Sequence, residues 1–155
     1  MEEQVTEHMI IRGAPEECYA VLTEFERYPE WAADIKAVTV DTRDSQGRPA
    51  QVTFRAAAFG RSTSYTLLYE YSDAPDELSW VQVSGDITRR LDGSYRLSAS
   101  GDGGTEITYS LVVDLKVPLP GFVKRRAEGR IMGTALRELK AVVEGSGTRQ
   151  APSGL

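Results

Sequence analysis

From Gln4 to Arg12 apolar and polar residues alternate, with Val5, Met9 and Ile11 on one phase, as in a half-buried strand that stops at Gly13. The period then changes. Cys18, Val21, Leu22 and Phe25 recur at helical spacing behind Pro15, and Glu16 and Glu17 sit at the positive end of the dipole, so a short helix is predicted. Tyr28-Pro29-Glu30-Trp31 restarts the chain as a second short helix, because proline suits a first helical turn and disfavours helix in the residue before it.

From Ile35 to about Leu115 the period is two, and turn-forming clusters at Ser45–Pro49, Ser72–Asp76 and Gly101–Gly104 divide the run. Strands are predicted near residues 35–43, 50–59, 62–72, 77–84, 87–100 and 105–116, an antiparallel meander of seven strands when the first is included. Val117-Pro118-Leu119-Pro120-Gly121 cannot extend a ladder, since its prolines lack donors, and it leads into a long helix predicted from about Phe122 to Glu144. In that helix Ile131, Ala135, Leu139 and Val142 form one stripe, with Met132, Leu136 and Val143 beside it. Residues 145–155 carry only Leu155 as a large apolar residue and are expected to form a disordered tail behind one domain spanning 1–144.

The order strand, two short helices, six strands, long helix is an α+β arrangement in which only the helices can cover the inner face of a curved sheet. Twisted antiparallel sheets curl, and a glycine inside a strand, here Gly93, adds curvature. A concave space between sheet and helix is therefore expected. Tyr65, Leu67, Tyr69 and Tyr71 share one phase, as do Leu91, Tyr95 and Leu97, and so do Ile107, Tyr109, Leu111 and Val113. From these runs Tyr65, Leu67, Tyr69, Leu91, Tyr95, Tyr109 and Leu111 are candidate ligand-binding residues, together with Phe54 and with Trp80 as a wall. On the helix Gly129 and Gly133, four residues apart, suggest close approach of a strand or a ligand, with Met132 and Leu136 next to them.

Composition narrows the function. The chain has 155 residues, 18 Lys and Arg against 23 Asp and Glu, and a formal net charge of -5, so it repels a phosphate backbone and nucleic acid is not an expected partner. Cys18 is the only cysteine, which excludes an internal disulfide and a cysteine-based zinc site. No run of about 20 apolar residues is present and Glu2 and Glu3 open the chain, so a cytoplasmic protein is expected, as a monomer or weak homodimer.

Ala14-Pro15 before a helix, Phe25-Glu26-Arg27-Tyr28-Pro29-Glu30-Trp31, Leu91-Asp92-Gly93-Ser94-Tyr95, and Leu115 to Gly121 followed by Lys124-Arg125-Arg126-Ala127-Glu128 together resemble the START-like, or SRPBCC, polyketide cyclase/dehydrase and lipid-transport family, actinobacterial members in particular. The resemblance runs from about residue 3 to 144. It implies a helix-grip fold with a hydrophobic cavity, and activities from polyketide cyclisation to binding of lipids, hormones or quinones. It transfers no catalytic residue, and Pro29 and Trp31 read as a hinge between the short helices.

The chemistry that remains is limited. With one histidine, His8, on the first strand beside polar Gln4 and Thr6, neither a Ser-His-Asp nor a Cys-His arrangement can form, and no helical metal-ligand spacing occurs, so no metal or cofactor is expected. Acid-base work would fall to Tyr65, Tyr69, Tyr109, Glu70, Asp86, Arg55 or Arg89, whichever face inward, although the alternation sends Glu70 outward. Lys124, Arg125, Arg126 and Arg130 crowd the first turns of the last helix, against its dipole. They pair with Glu128 and other acids, or, with apolar Val117, Leu119 and Phe122, give transient contact with an anionic membrane through Val117, Leu119, Phe122, Lys124 and Arg125.

Three readings follow. The first is a carrier or sensor holding a polyketide, lipid, isoprenoid or quinone in an internal cavity. The second is a polyketide cyclase or dehydratase using the same cavity. The third is an interaction module whose interior is filled by side chains such as Phe54, Trp80 and Met132.

Overall fold

The structure, a computed structural model, describes residues 4–58 and 60–150, with side chains in the last helix as far as Gly145. Its strands are β1 (Gln4–Ile11), β2 (Ile35–Val40), β3 (Gln51–Ala58), β4 (Arg61–Glu70), β5 (Glu77–Gly85), β6 (Thr88–Ala99) and β7 (Thr105–Leu115). Between β1 and β2 come α1 (Pro15–Thr23), a 3-10 turn (Phe25–Arg27) and α2 (Tyr28–Trp31); α3 (Gly121–Gln150) closes the chain. All strands join one seven-stranded sheet in the order β1-β7-β6-β5-β4-β3-β2, antiparallel throughout, so the meander returns β1 beside the last strand. This is the predicted helix-grip architecture.

One expectation is corrected at the end of an element: the last helix does not stop near Glu144 but runs in its backbone to Gln150. Residues 151–155 of the expected tail lie outside the described residues, as does Phe59 at the predicted end of β3.

The sheet curls where its registers slip, between Ile35 and Ala37 on β2, Thr66 and Leu67 on β4, and Thr88 and Arg90 on β6, because an extra residue on one strand bends it and increases its twist. Its turns use the chemistry read from the sequence. In the β6–β7 hairpin Gly101 and Gly103 take φ of 93° and 87°, a region that side chains other than glycine's strain to reach. Gly93 has a role that its own segment does not reveal. It stands opposite Trp80 across the β5–β6 pair, and a Cβ there would lie 2.6 Å from Trp80 Cζ2 and 2.6 Å from the Ser110 carbonyl oxygen. The missing side chain is the space that the indole occupies.

The core runs along the concave face. Ile11, Leu22, Phe25, Leu97, Ile107, Leu139 and Val143 are buried where α1 and α3 meet the sheet. The helix α3 lies chiefly against β1 and α1. Polar ties hold it there, since Glu144 Oε2 accepts the Arg12 N–H at 2.8 Å and Lys140 Nζ donates to the Ile10 carbonyl at 3.2 Å. Leaning toward the β1 edge, the helix leaves a gap on its other side, above β3, β4 and β5, and aromatic side chains from those strands rise into it.

Candidate functional site

That gap encloses a cavity of about 140 Å³, partly open to solvent. The sheet contributes Phe54 from β3, Tyr65, Leu67 and Tyr69 from β4, and Trp80 from β5. Leu91 and Tyr95 from β6 and Tyr109 and Leu111 from β7 complete this side. Every sheet residue predicted for the site therefore lines one space. The alternation of the strands places them there, because the residues between them, such as Glu70 and Arg96, are exposed on the convex face.

The helix side of the site is different from the prediction. Met132 and Leu136 do not line the cavity; they are fully buried in the core where α3 presses on the sheet. Gly129 and Gly133 do not line it either: a Cβ at Gly129 would meet nothing within 4 Å, and one at Gly133 would have the flexible Arg137 guanidinium of the same helix as its nearest neighbour, at 3.1 Å. The close approach expected at these glycines is absent. Ile131, Thr134, Ala135 and Glu138, on the neighbouring stripe, face the cavity instead.

Sequence reasoning missed the segment that forms the mouth. Tyr28, read as part of the second short helix, and Trp31, read as part of a hinge, line the cavity together with Ala32, Asp34 and Ile35. Their position follows from Phe25, which is buried with its ring centroid 4.3 Å from that of Tyr69 and 5.6 Å from that of Tyr28, so the 3-10 turn pins α2 over the sheet. The Tyr28 hydroxyl donates to the Leu22 carbonyl at 2.5 Å, and Glu138 Oε2 accepts the Ala33 N–H at 3.1 Å, tying this segment to α1 and α3. Exposed Asp34 and half-buried Thr134 and Glu138 make the rim polar, whereas the floor is aromatic.

The floor is a continuous set of rings. Trp80 lies 5.7 Å from Tyr69, 5.4 Å from Tyr95 and 6.1 Å from Tyr109, and Phe54 stacks on Tyr65 at 5.4 Å. Burial lifts the phenol pKa of Tyr28, Tyr65, Tyr69 and Tyr95 above the ordinary value, and it pushes that of Tyr109 up to about 12. All five are neutral phenols at physiological pH, and the Tyr28 hydrogen is already given to the Leu22 carbonyl. Trp80 is 5% exposed, and its indole N–H is buried with no hydrogen-bond partner among the described residues. Leaving such a donor unmet costs about 1–3 kcal/mol. The floor thus offers donors in an apolar setting and no carboxylate.

The other candidates for chemistry lie elsewhere. Arg55, Glu70, Asp86 and Arg89 are exposed, and none lines the cavity. Asp86 serves β4, taking the Thr63 hydroxyl at 2.5 Å and the Ser64 N–H at 3.0 Å, and these bonds hold its carboxyl below the ordinary range. His8 is exposed on β1, its Nδ1 3.2 Å from the Thr108 hydroxyl. No group of His, Cys, Asp and Glu able to hold a metal occurs among the described residues.

The residues expected to touch a membrane differ in exposure. Leu119 and Phe122 are 37% and 63% exposed and Arg125 is exposed, but Val117 packs on the core and Lys124 turns to Glu128, with Nζ 2.7 Å from Oε2. No described helix is long and apolar enough to cross a membrane.

Comparison with known proteins agrees with this geometry. A START superfamily protein from Mycobacterium smegmatis superposes with a TM-score of 0.87 at 22% identity, over 94% of this chain and 99% of that one. The Zhui aromatase/cyclase from Streptomyces sp. R1128 gives 0.82 at 12% identity, over 99% and 98%. The ginseng major latex-like protein 151 from Panax ginseng gives 0.71 at 12%, over 90% and 96%. At these identities the likeness concerns the fold. No curated protein matches the chain by sequence. The profile described as polyketide cyclase / dehydrase and lipid transport matches residues 2–144, nearly all of the helix-grip domain, and the chain belongs to that family.

Proposed function

We propose that the protein binds a hydrophobic small molecule of about one aromatic ring in the main cavity, with a hydrogen-bond acceptor on the ligand meeting the Trp80 indole N–H. The observation that carries this reading is an apolar cavity of about 140 Å³ one of whose lining residues, Trp80, has a buried indole N–H without a partner among the described residues. An engineered apolar cavity of about 150 Å³ takes up benzene or xenon, so the space has the right size for a ring. Larger polyketides, isoprenoids or quinones need the rim formed by Trp31, Asp34 and Glu138 to move.

Binding without turnover is favoured over cyclisation by the protonation state of the floor. Phenols with raised pKa values donate hydrogen bonds well but are poor bases at neutral pH, and the carboxylates of the main cavity stand at its rim, one of them occupied by the Ala33 N–H. A carrier or sensor needs only the donors.

Acetophenone and ethylbenzene are matched probes that differ by a carbonyl oxygen. In isothermal titration the Trp80→Phe variant binds ethylbenzene like the parent but loses roughly tenfold in affinity for acetophenone, the value of one buried hydrogen bond. Equal losses for both probes would place the acceptor elsewhere. Formation of a new product from a polyketide-like substrate would replace the binding reading with the cyclase one.

A further inference from the structure

A second chamber of about 50 Å³ abuts the main cavity. Tyr65, Leu91, Leu111 and Ile131 line both spaces, so these side chains form the partition between them. The chamber is several times the roughly 10–15 Å³ that one water needs. Most of its wall is apolar, with Ala58, Ile87 and Val113 in addition to the partition. Set into that wall is Glu128, only 2% exposed.

A carboxylate in such a place costs several kcal/mol unless it is paired. Its one hydrogen-bond partner among the described residues is Lys124, which is 25% exposed and reaches Oε2 from the solvent side at 2.7 Å. The other polar groups of the chamber, Thr63 and Thr88, already donate their hydroxyl hydrogens to Asp86 and Gln82. Tyr65 adds a third neutral hydroxyl, and Glu128 is the one carboxylate among the chamber's lining residues and so its strongest acceptor. On α3 it begins the stripe that continues through Ile131 and Ala135 to Glu138, so one face of the helix runs from the inner chamber to the rim.

We propose that the second chamber is a subsite for the hydroxyl end of an elongated ligand whose ring lies in the main cavity. The proposal rests on the binding reading above and adds the chemistry of the far end. Glu128 precedes Ile131 by three residues, about 4.5 Å along the helix axis, a span that a four-carbon arm covers. An alcohol fits better than an ammonium group because Lys124 already neutralises the carboxylate, and a second cation would be stranded among Ile87, Leu91, Leu111 and Val113. The hydroxyl donates to Glu128, its methylenes pass the partition, and no proton leaves it.

The test uses the full chain and three probes: toluene, butylbenzene and 4-phenyl-1-butanol. In isothermal titration Glu128→Leu weakens phenylbutanol about tenfold relative to butylbenzene and leaves toluene unchanged, since a hydrogen bond to a charged group is lost only for the alcohol. Ala58→Leu, at the half-exposed end of β3, puts bulk into the chamber while keeping the Glu128 carboxylate in the chain. It weakens both long probes and spares toluene, which keeps the proposal testable if Glu128→Leu does not fold. Should toluene bind but phenylbutanol lose no more than butylbenzene in Glu128→Leu, or should both long probes ignore Ala58→Leu, the subsite is refuted while the main cavity stands. Failure of the parent protein to bind any of the three overturns the binding reading itself.

Discussion

Replacing Ala135 with phenylalanine weakens binding of single-ring ligands more than tenfold while the domain stays folded. Ala135 is half-buried and faces the main cavity from α3, so a ring attached there enters the space that a ligand would take. Burying the added ring contributes about 1.5–3 kcal/mol. Imperfect fit costs about 1–3 kcal/mol, so the two effects nearly cancel and the melting temperature stays close to that of the parent. Affinity, in contrast, falls more than tenfold, because the ligand must displace a tethered competitor that cannot diffuse away. Calorimetric titration with toluene beside a thermal melt measures both quantities. Undiminished binding by the folded variant would mean that the ring sits somewhere other than between α3 and the sheet.

Phe25→Ala has the largest expected effect on stability. The side chain is 1% exposed and contacts three other rings, those of Tyr28, Phe54 and Tyr69. Truncating such a phenylalanine costs about 3–5 kcal/mol, from lost transfer energy and from the cavity left behind. At about 2–4 °C per kcal/mol for a domain of this size, the melting temperature drops by roughly 10 °C. The change also acts on the site. Neither Tyr28 nor any other residue of α2 is fully buried, so Phe25 is the main apolar anchor of the segment that forms the rim. Urea unfolding gives a lower midpoint with an unchanged slope if the loss is confined to packing. A loss below about 1 kcal/mol would show that α2 is held by Tyr28 and Trp31 instead.

The sheet was legible because a period of two leaves one choice of inner face. Once Tyr69 points inward, Leu67 and Tyr65 follow, and Glu70 is exposed as the alternation requires. The face of α3 was not legible for the converse reason. Met132 and Leu136 are as apolar as Ile131 and Ala135, so helical periodicity describes one broad apolar band, and the roll of the helix within it is a tertiary property. Here contact with β1 and α1 turns Leu136, Leu139 and Val143 to the core and leaves Ile131, Thr134, Ala135 and Glu138 to the cavity.

Glu128 was hidden by the same uncertainty. In sequence it belongs to a basic stretch and reads as a surface partner for Lys124 and its neighbours; the pairing is present, but on the inner side of the helix. Gly93 carried a signal whose meaning needed the partner strand, since nothing in its own segment shows that Trp80 lies opposite. The glycines on α3 pointed the other way: their spacing implied close approach of a strand or a ligand, but Gly129 has open space around it and the nearest neighbour of Gly133 is Arg137 of its own helix.

The central claim is that sheet and helix leave an apolar space that a ligand enters. Diffraction from crystals pressurised with xenon tests it most directly, because xenon reports accessible apolar volume without requiring the natural ligand. The account predicts one strong xenon site bounded by Tyr69, Trp80, Leu111 and Ala135. Side chains closed over that position, with no xenon bound between α3 and the strands, would contradict it.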